Sequence, residues 1–161
     1  MFRPSTAGPQ STTSEGSGYL MRIADVLKGK GSSVATVSPD DEVTVVLRFI
    51  AERNLGALPV VDGDRLVGIV SERDVVRRLH QQGGALLTAR VSEVMTSDVV
   101  TCSPEDSVGD LAQVMTERRV RHLPVIVDGA LAGIVSIGDL VKARIDMLEQ
   151  EREQLESYIA Q

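Results

Sequence analysis

Aromatic residues, cysteines and long apolar runs are scarce in this sequence, and each shortage excludes a class of protein. Aromatic residues make up 2% of the 161 residues, which leaves almost no platforms for stacking nucleic-acid bases and requires an aliphatic core. Cys102 is the single cysteine, so no disulfide can form within the chain. No apolar run approaches the roughly 20 residues that a membrane-spanning helix needs.

Acidic residues outnumber basic residues, 23 to 17. The formal net charge is −6, which disfavours binding to nucleic acid and to anionic membranes. Residues 1–20 combine Ser, Thr, Gly and Pro without an apolar segment, and predict a disordered N-terminal tail rather than a secretory signal. Together with the single cysteine, these features predict a cytoplasmic protein that binds no nucleic acid and no membrane.

What the sequence does contain is an internal repeat. "GALPVVDGDRLVGIVSERD" (56–74) and "RHLPVIVDGALAGIVSIGD" (121–139) align at an offset of 65 residues, which pairs Asp74 with Asp139. Further upstream the offset becomes 68, because "KGKGSS" (28–33) carries three extra residues. One copy alone would bury too little surface to be stable, so we expect the two copies to pack together and leave a cleft between them.

Each copy predicts the same order of elements: strand, helix, strand, strand, helix. The first strands are expected at 34–37 and 99–102, and helices at Ser38-Pro39 and Ser103-Pro104, where Ser caps and Pro opens a helix. Asp-Gly turns then join two hairpins, and a final helix begins at Ser71 or Ser136. The predicted fold class is α/β (α+β), with two β-α-β-β-α repeats related by a pseudo-two-fold axis and a long C-terminal helix. The predicted domains are residues 21–85 and 86–145, with 146–161 extending the last helix.

Polar side chains cluster where each hairpin gives way to its helix. The N–H groups and dipole of a helix start at Ser71 or Ser136 can hold a phosphate, but both serines could equally be plain N-caps. In copy two, Arg121 and His122 precede the strand, and an Arg fork binds phosphate well. The alternatives are a solvated helix end for the neighbouring arginines and a neutral core histidine for His122.

The duplicated apolar-Pro-Val run, followed by Gly-Ile-Val-Ser-x-x-Asp, resembles the tandem CBS (cystathionine-β-synthase-type) domain pair, or Bateman module. The resemblance covers roughly residues 21–145. It implies a regulatory module that binds an adenine nucleotide (AMP, ADP, ATP or NAD) between the copies. It also implies a homodimer that acts on an unidentified protein target.

The resemblance also implies roles for individual residues. Asp74 and Asp139 would bind ribose hydroxyls, and Ser71 and Ser136 with their backbone would bind phosphate, as would Arg73, Arg121 and His122. The adenine pocket would be lined near 32–34 and 97–99, with apolar walls from Val60 and Val125, while the small residues before the first Pro would leave room for the ring. The complete predicted ligand-binding set is Ser32, Val34, Gly56, Ala57, Ser71, Arg73, Asp74, Ser97, Val99, Arg121, His122, Pro124, Ser136, Ile137, Gly138 and Asp139.

No catalytic or metal site is predicted. Cys102, His80 and His122 lack metal-ligand spacing, and "KGKGSS" lacks the phosphate-loop pattern. From Asp139 onward the chain predicts about six helical turns with an apolar stripe that Arg152 interrupts. The stripe should pack on this module or on a second subunit, and the alternative is a single helix that only closes the fold. The main rival hypothesis is therefore a protein-interaction module that acts through this helix without a bound nucleotide, and nucleotide turnover is the remaining one.

Overall fold

The computed structural model describes residues 20–31 and 33–161, so nearly all of the predicted disordered tail lies outside the described residues. The described chain mixes helices and strands, which confirms the predicted fold class. A 3-10 helix (Gly83–Thr88) joins the two halves. The helices are α1 (Ile23–Lys30), α2 (Val43–Arg53), α3 (Glu72–Gln82), α4 (Val91–Val94), α5 (Val108–Arg118) and α6 (Ile137–Ile159), and the strands are β1 (Ala57–Asp62), β2 (Arg65–Ser71), β3 (His122–Val127) and β4 (Ala130–Ser136).

The two predicted hairpins form with the same register. Pro59 lies opposite Ile69 in the β1–β2 pair, and Pro124 lies opposite Ile134 in the β3–β4 pair. Asp128 and Gly129 both have positive φ angles (50° and 79°), as the tight turn between two twisted antiparallel strands requires. The repeat in the sequence is therefore a repeat in the backbone.

The predicted first strand of each copy is reduced to a single bridge, which corrects the expectation of full strands at 34–37 and 99–102. Val37 pairs in parallel with Val60, and Cys102 pairs in the same way with Val125. Longer parallel ladders would need N–H groups at Pro39 and Pro59, or at the matching prolines of copy two, and proline has none. The prolines thus limit each parallel pairing to one bridge.

The helices after these bridges begin four residues later than predicted. Ser38 and Ser103 are not N-caps, because their backbone N–H groups donate to the carboxylates of Asp41 and Asp106 at 2.8 Å in a tight turn. The actual N-cap in copy two is Ser107, whose hydroxyl accepts a hydrogen bond from the Asp110 N–H at 3.1 Å. Ser-Pro-acid sequences favour a turn as strongly as a helix start, which explains the difference.

Two aliphatic cores form, and each copy contributes a helix to the core of the other. Ile23 and Val26 of α1 pack in the core of copy two, whereas Val91 and Val94 of α4 pack in the core of copy one. Backbone hydrogen bonds also join each exchanged helix to the other copy. The Ile23 N–H, for example, donates to the Asp106 carbonyl at 2.9 Å. The exchange ties the copies together and fixes the cleft between them.

Candidate functional site

A cavity of about 470 Å³ opens between the two copies, within the size range of small-molecule sites. We call it the Asp74 cavity. Copy one contributes the start of β1, the end of β2 and the first turns of α3, and copy two contributes the segment between α5 and β3. Its lining residues are Gly56, Ala57, Ile69, Ser71, Glu72, Arg73, Asp74, Val76, Arg77, Thr96, Asp98, Val99, Val100, Arg119, Val120, Arg121 and His122.

Asp74 is held at the start of α3 by a reciprocal capping box. Its Oδ2 accepts hydrogen bonds from the Ser71 N–H and hydroxyl, both at 2.9 Å, and its own N–H donates to Ser71 Oγ at 3.3 Å. The other oxygen, Oδ1, has a long contact of 3.5 Å with the Thr96 hydroxyl. Ser71 is therefore an N-cap, and Oδ1 is the Asp74 atom best able to accept a hydroxyl from a ligand.

Arginines dominate the charge of the opposite wall. Arg119 ends α5 in the left-handed conformation (φ 54°), which turns the chain so that Arg119 and Arg121 line the cavity. The carbonyl of Arg121 accepts the Ile137 N–H at 2.9 Å, and this bond anchors the segment to the start of α6. Arg73 and Arg77 approach from α3. The lining of the cavity thus holds four arginines together with three carboxylates, Glu72, Asp74 and Asp98.

His122 is half-buried and stands against Gly56. A Cβ atom at position 56 would lie 2.9 Å from Cε1 and Nε2 of the imidazole, so Gly56 makes room for the histidine ring. The imidazole therefore occupies the space beside Gly56 that the sequence analysis expected adenine to use. Burial, helped by the positive charges of Lys30 and Arg121, lowers the pKa of His122 below its ordinary 6.5. His122 is therefore neutral at pH 7.

The matching position in copy two is already occupied by a side chain of α1. Asp139 forms the same capping box with Ser136, but its Oδ2 also accepts a 2.6 Å hydrogen bond from the Lys30 ammonium. Lys30 also donates to the Ile134 carbonyl at 2.9 Å. Partial burial alone would raise the pKa of Asp139, but Lys30 and Ser136 outweigh it and hold the pKa below its usual range. We call this position the Asp139 cleft.

At the Asp139 cleft, the Lys30 ammonium makes the hydrogen bond that the Thr96 N–H makes at the Asp74 cavity. The Ile69 carbonyl accepts the Thr96 N–H at 2.8 Å, whereas the equivalent Ile134 carbonyl accepts the Lys30 ammonium. Leu27 and Met95 still match, because each contacts the glycine in the middle of its neighbouring strand. α1 continues beyond Leu27 to Lys30, whereas α4 ends at Val94, directly before Met95. The three extra residues of "KGKGSS" thus extend α1 and carry Lys30 to Asp139.

Of the remaining predicted site residues, some line the Asp74 cavity and others lie elsewhere. Val99 lines the Asp74 cavity with its neighbour Val100, whereas Ser97 is exposed and does not belong to the lining. Pro124 is buried in β3, Val34 is half-buried, and Gly138 is exposed on the first turn of α6. Ile137 lines a neighbouring hollow of about 420 Å³ together with Arg73 and Arg121. Ser32 lies outside the described residues.

The expectation that Val60 and Val125 form the apolar walls of the ligand pocket is wrong. Val60 and Val125 are fully buried, each in the core of its own copy, so neither can touch a ligand. The apolar walls are formed instead by Ile69, Val99 and Val120.

Thr96 and Asp98 line the cavity but are absent from the predicted ligand-binding set, although the segment 97–99 was expected to line the pocket. Thr96 extends the edge of β2 through two backbone hydrogen bonds to Ile69 (3.0 and 2.8 Å), and this pairing carries the segment 96–100 into the cavity. The resemblance had already pointed to 97–99, and the position of Thr96 directly before that segment was the only further signal. No composition or motif marks Thr96 itself.

The described part of the chain contains neither a cluster of metal ligands nor a helix suited to a membrane. Among residues 20–31 and 33–161, no group of three His, Cys, Asp or Glu side chains is arranged to hold a metal ion. None of the helices described there is both long and apolar enough to cross a membrane.

Comparison with known proteins places the chain among known relatives. The family model of the CBS domain matches residues 24–81 and 91–146. The mitochondrial CBS domain-containing protein CBSX3 of Arabidopsis thaliana is 35% identical over 99% of this chain and 82% of its own length. The crystal structure of a CBS-domain containing protein of Agrobacterium tumefaciens superposes with a TM-score of 0.75 at 41% identity, over 77% of this chain and 99% of that one.

A third similarity bears on function. The protein MJ1225 of Methanocaldococcus jannaschii, a proposed archaeal homologue of g-AMPK, superposes with a TM-score of 0.64 at 25% identity. The match covers 75% of this chain and 52% of that protein.

Proposed function

This chain belongs to the CBS domain family, with two such domains in tandem, and from that premise we propose that it is a regulatory module that binds one adenine nucleotide in the Asp74 cavity. CBS pairs are generally regulatory, ligand-binding modules. AMP, ADP, ATP and NAD are the candidate ligands, because they share the adenosine monophosphate unit. The similarity to a proposed g-AMPK homologue supports an adenosine ligand.

The observation that carries the proposal is the composition of the cavity wall. A nucleotide presents an apolar base, a ribose diol and an anionic phosphate. The cavity offers valines at Val99 and Val100, a carboxylate oxygen of Asp74 with a weak partner, and arginines at Arg119 and Arg121. Carboxylates accept hydroxyl hydrogens, and guanidinium groups bind phosphate in a bidentate manner. Each part of the nucleotide thus has a matching wall.

We place the phosphate against the arginines rather than against the start of α3. Two N–H groups of that helix start already have partners, since Glu72 N–H donates to Gly56 O at 3.1 Å and Asp74 N–H donates to Ser71 Oγ. Arg121 and Arg119 have side chains exposed to the cavity and its solvent. The phosphate would then connect copy two to a ribose held by copy one.

We propose a stoichiometry of one nucleotide per chain. The Asp139 carboxylate, which the repeat would assign to a second ribose, is paired with Lys30 at 2.6 Å. A ribose entering the Asp139 cleft would have to displace an ammonium group from both Asp139 and the Ile134 carbonyl.

Binding would act through the relative position of the two copies. Because the cavity wall comes from both copies, a ligand that contacts both stabilises the arrangement that brings these walls together. A protein target that prefers the same arrangement would then bind the nucleotide-loaded form more tightly.

Thermal unfolding with nucleotides tests the proposal. Added at a hundred times its dissociation constant, a ligand that binds only the folded chain should raise the free energy of unfolding by about 2.7 kcal/mol. AMP, ADP, ATP and NAD are to be compared with adenosine and with inorganic phosphate, and Asp74→Asn serves as the matched variant. If none of the four nucleotides moves the melting temperature, the proposal is wrong.

The exposed apolar side chains of α6 favour a second candidate function, that of a protein-interaction module whose cavity needs no nucleotide. Leu155 and Ile159 are 64% and 82% exposed, which is unusual for large apolar residues on a helix. This function predicts that substitutions on α6 abolish target binding while nucleotides change nothing.

A further inference from the structure

The last helix extends beyond the module that it closes. Leu140 and Ala143 of α6 are buried against copy two, but every residue from Leu148 to the end of the helix is exposed. This projecting part has about three turns. Isolated helices of this length are marginal in water, so a stable projection needs a partner for its apolar side.

The apolar side of α6 is a narrow stripe with a regular spacing. Its members alternate between steps of four and three residues, as in a coiled-coil seam, and one position of the stripe is taken by Arg152. The stripe lies on a different side of the helix from the buried Leu140 and Ala143. Its apolar residues are Val141 (53% exposed), Ile145 (50%), Leu148 (47%), Leu155 (64%) and Ile159 (82%).

We propose that the stripe packs against α6 of a second copy of this chain, with the two helices antiparallel and Leu148 opposite the partner's Arg152. In this register Ile145 lies opposite the partner's Leu155, and Val141 lies opposite the partner's Ile159. Every apolar residue of the stripe except Leu148 therefore meets an apolar residue. This inference does not depend on nucleotide binding.

The position of Arg152 selects the antiparallel orientation. In a parallel pair the same layer would place Arg152 against the partner's Arg152 in the middle of the seam, with two like charges in contact. In the antiparallel pair Arg152 meets a leucine, and its guanidinium can reach the partner's Glu149. A single polar residue in a coiled-coil seam commonly fixes register and orientation.

The charges beside the stripe include one attractive pair that only the antiparallel orientation forms. The first half of α6 carries two cations and two carboxylates, whereas the second half carries four glutamates and Arg152. An antiparallel pair places Lys142 beside the partner's Glu156. It also brings Glu149 towards the partner's Glu149, and the two Arg152 side chains lie between them. A parallel pair would instead place Glu151 beside the partner's Glu156 and Arg144 beside the partner's Glu149, so the Arg152 layer, rather than the flanking charges, selects the orientation.

Cysteine cross-linking tests the orientation. The double variant Ile145→Cys/Leu155→Cys should form intermolecular disulfides under mild oxidation, and an equal mixture of the two single variants should form a mixed dimer. Neither single variant should cross-link alone, because copies of one position lie about 15 Å apart along the antiparallel pair, beyond disulfide reach. The native Cys102 should stay silent, since it is buried and burial raises its pKa to about 12.

Two results would overturn the proposal. Efficient cross-linking of each single variant would show a parallel pair, and no cross-linking of the double variant would show that the stripes do not meet. A mass measurement by light scattering adds a second readout. Leu155→Glu/Ile159→Glu should halve the mass of the assembly, whereas Gln150→Glu/Ser157→Glu, which adds the same charge on another side of α6, should not. An assembly that survives the first variant contradicts the proposal.

Charge reversal gives a third, reversible test. Lys142→Glu should weaken self-association, and the added substitution Glu156→Lys should restore it, because the two positions face each other only in the antiparallel pair. If the double variant associates more weakly than Lys142→Glu alone, the register is wrong.

Discussion

The two copies of the repeat share a backbone but differ in the state of their clefts. Asp74 and Asp139 sit in the same capping box at the same place in each copy. Asp74 borders an open cavity of about 470 Å³, whereas Asp139 is paired with Lys30. The difference arises from three extra residues after Leu27, which lengthen α1 and bring a cation to one carboxylate only. A short insertion in a duplicated fold is thus enough to make one of two equivalent sites different.

The largest difference in nucleotide affinity is expected between variants of the two carboxylates, Asp74 and Asp139. Asp74→Asn should weaken AMP and ATP binding by about 10- to 100-fold, because it removes hydrogen bonds from ribose to a charged acceptor. Asp139→Asn should leave the affinity unchanged. Isothermal titration calorimetry measures both affinities, and circular dichroism melts check that the helix start stays intact when Asn replaces the aspartate of each capping box. Equal losses in the two variants would contradict the inequality of the clefts.

Arg121 should matter next most, and only for ligands that carry phosphate. Arg121→Ala should reduce ATP affinity about tenfold by removing charge-assisted hydrogen bonds, while adenosine affinity changes little. Arg118→Ala is the matched control, since Arg118 is exposed at the end of α5 and lies outside the lining of the Asp74 cavity. Equal losses for ATP and adenosine would deny Arg121 a phosphate contact.

Lys30→Met should make the two clefts more alike. Removing the ammonium frees the Asp139 carboxylate, so we expect titrations to reveal a second, weaker nucleotide per chain, which Asp139→Asn should then abolish. The cost in stability should be at most about 1 kcal/mol, because the pair is partly exposed. Unchanged stoichiometry would mean that Lys30 is not what closes the Asp139 cleft.

The same pair has a defined pH dependence. The pKa of folded Asp139 is lowered from 3.8, so its contribution to stability is complete above that value and is lost as the pH falls through the lower folded value. The stability difference between wild type and Lys30→Met, measured by urea unfolding, should therefore be present at pH 7 and shrink in acid.

His122 should produce the smallest effect. Its folded pKa lies below 6.5, so it is neutral at pH 7, and falling pH below 6.5 destabilises the fold because the unfolded chain takes up the proton first. Once His122 is protonated beside the Asp74 cavity, phosphate affinity should rise a few-fold. Calorimetry with ATP at pH 7.5 and at a series of lower pH values measures this rise, and His122→Gln corrects for titration of the phosphate itself. A rise that persists in His122→Gln belongs to another group.

The sequence predicted the hairpins and the final helix starts of both copies better than the lengths of the first strands and the starts of the first helices. The Asp-Gly turns and the doubled Ser-x-x-Asp pattern located both hairpins and both capping boxes, because these depend on local chemistry. The sequence analysis did not predict that the first strand is reduced to one bridge at Val37. This limit depends on Pro39 and Pro59, whose missing N–H groups matter only once the two segments pair. The late helix starts were missed because Ser38 and Asp41 form a turn that resembles a cap.

The candidate site was predictable to the same degree. The repeat pointed to Asp74, Arg121 and His122 in advance, and all three line the Asp74 cavity. The pairing of Lys30 with Asp139 could not be foreseen, because "KGKGSS" gives no sign of where its lysines point. The contact spans 109 residues of sequence and exists only after α1 crosses to copy two.

The most direct test of the account is a crystal structure grown with an equimolar mixture of AMP, ADP, ATP and NAD. The account predicts one nucleotide per chain, with its ribose on Asp74, its phosphate against Arg121, and the Lys30–Asp139 pair intact. A nucleotide bound at Asp139 with the Asp74 cavity empty would contradict it.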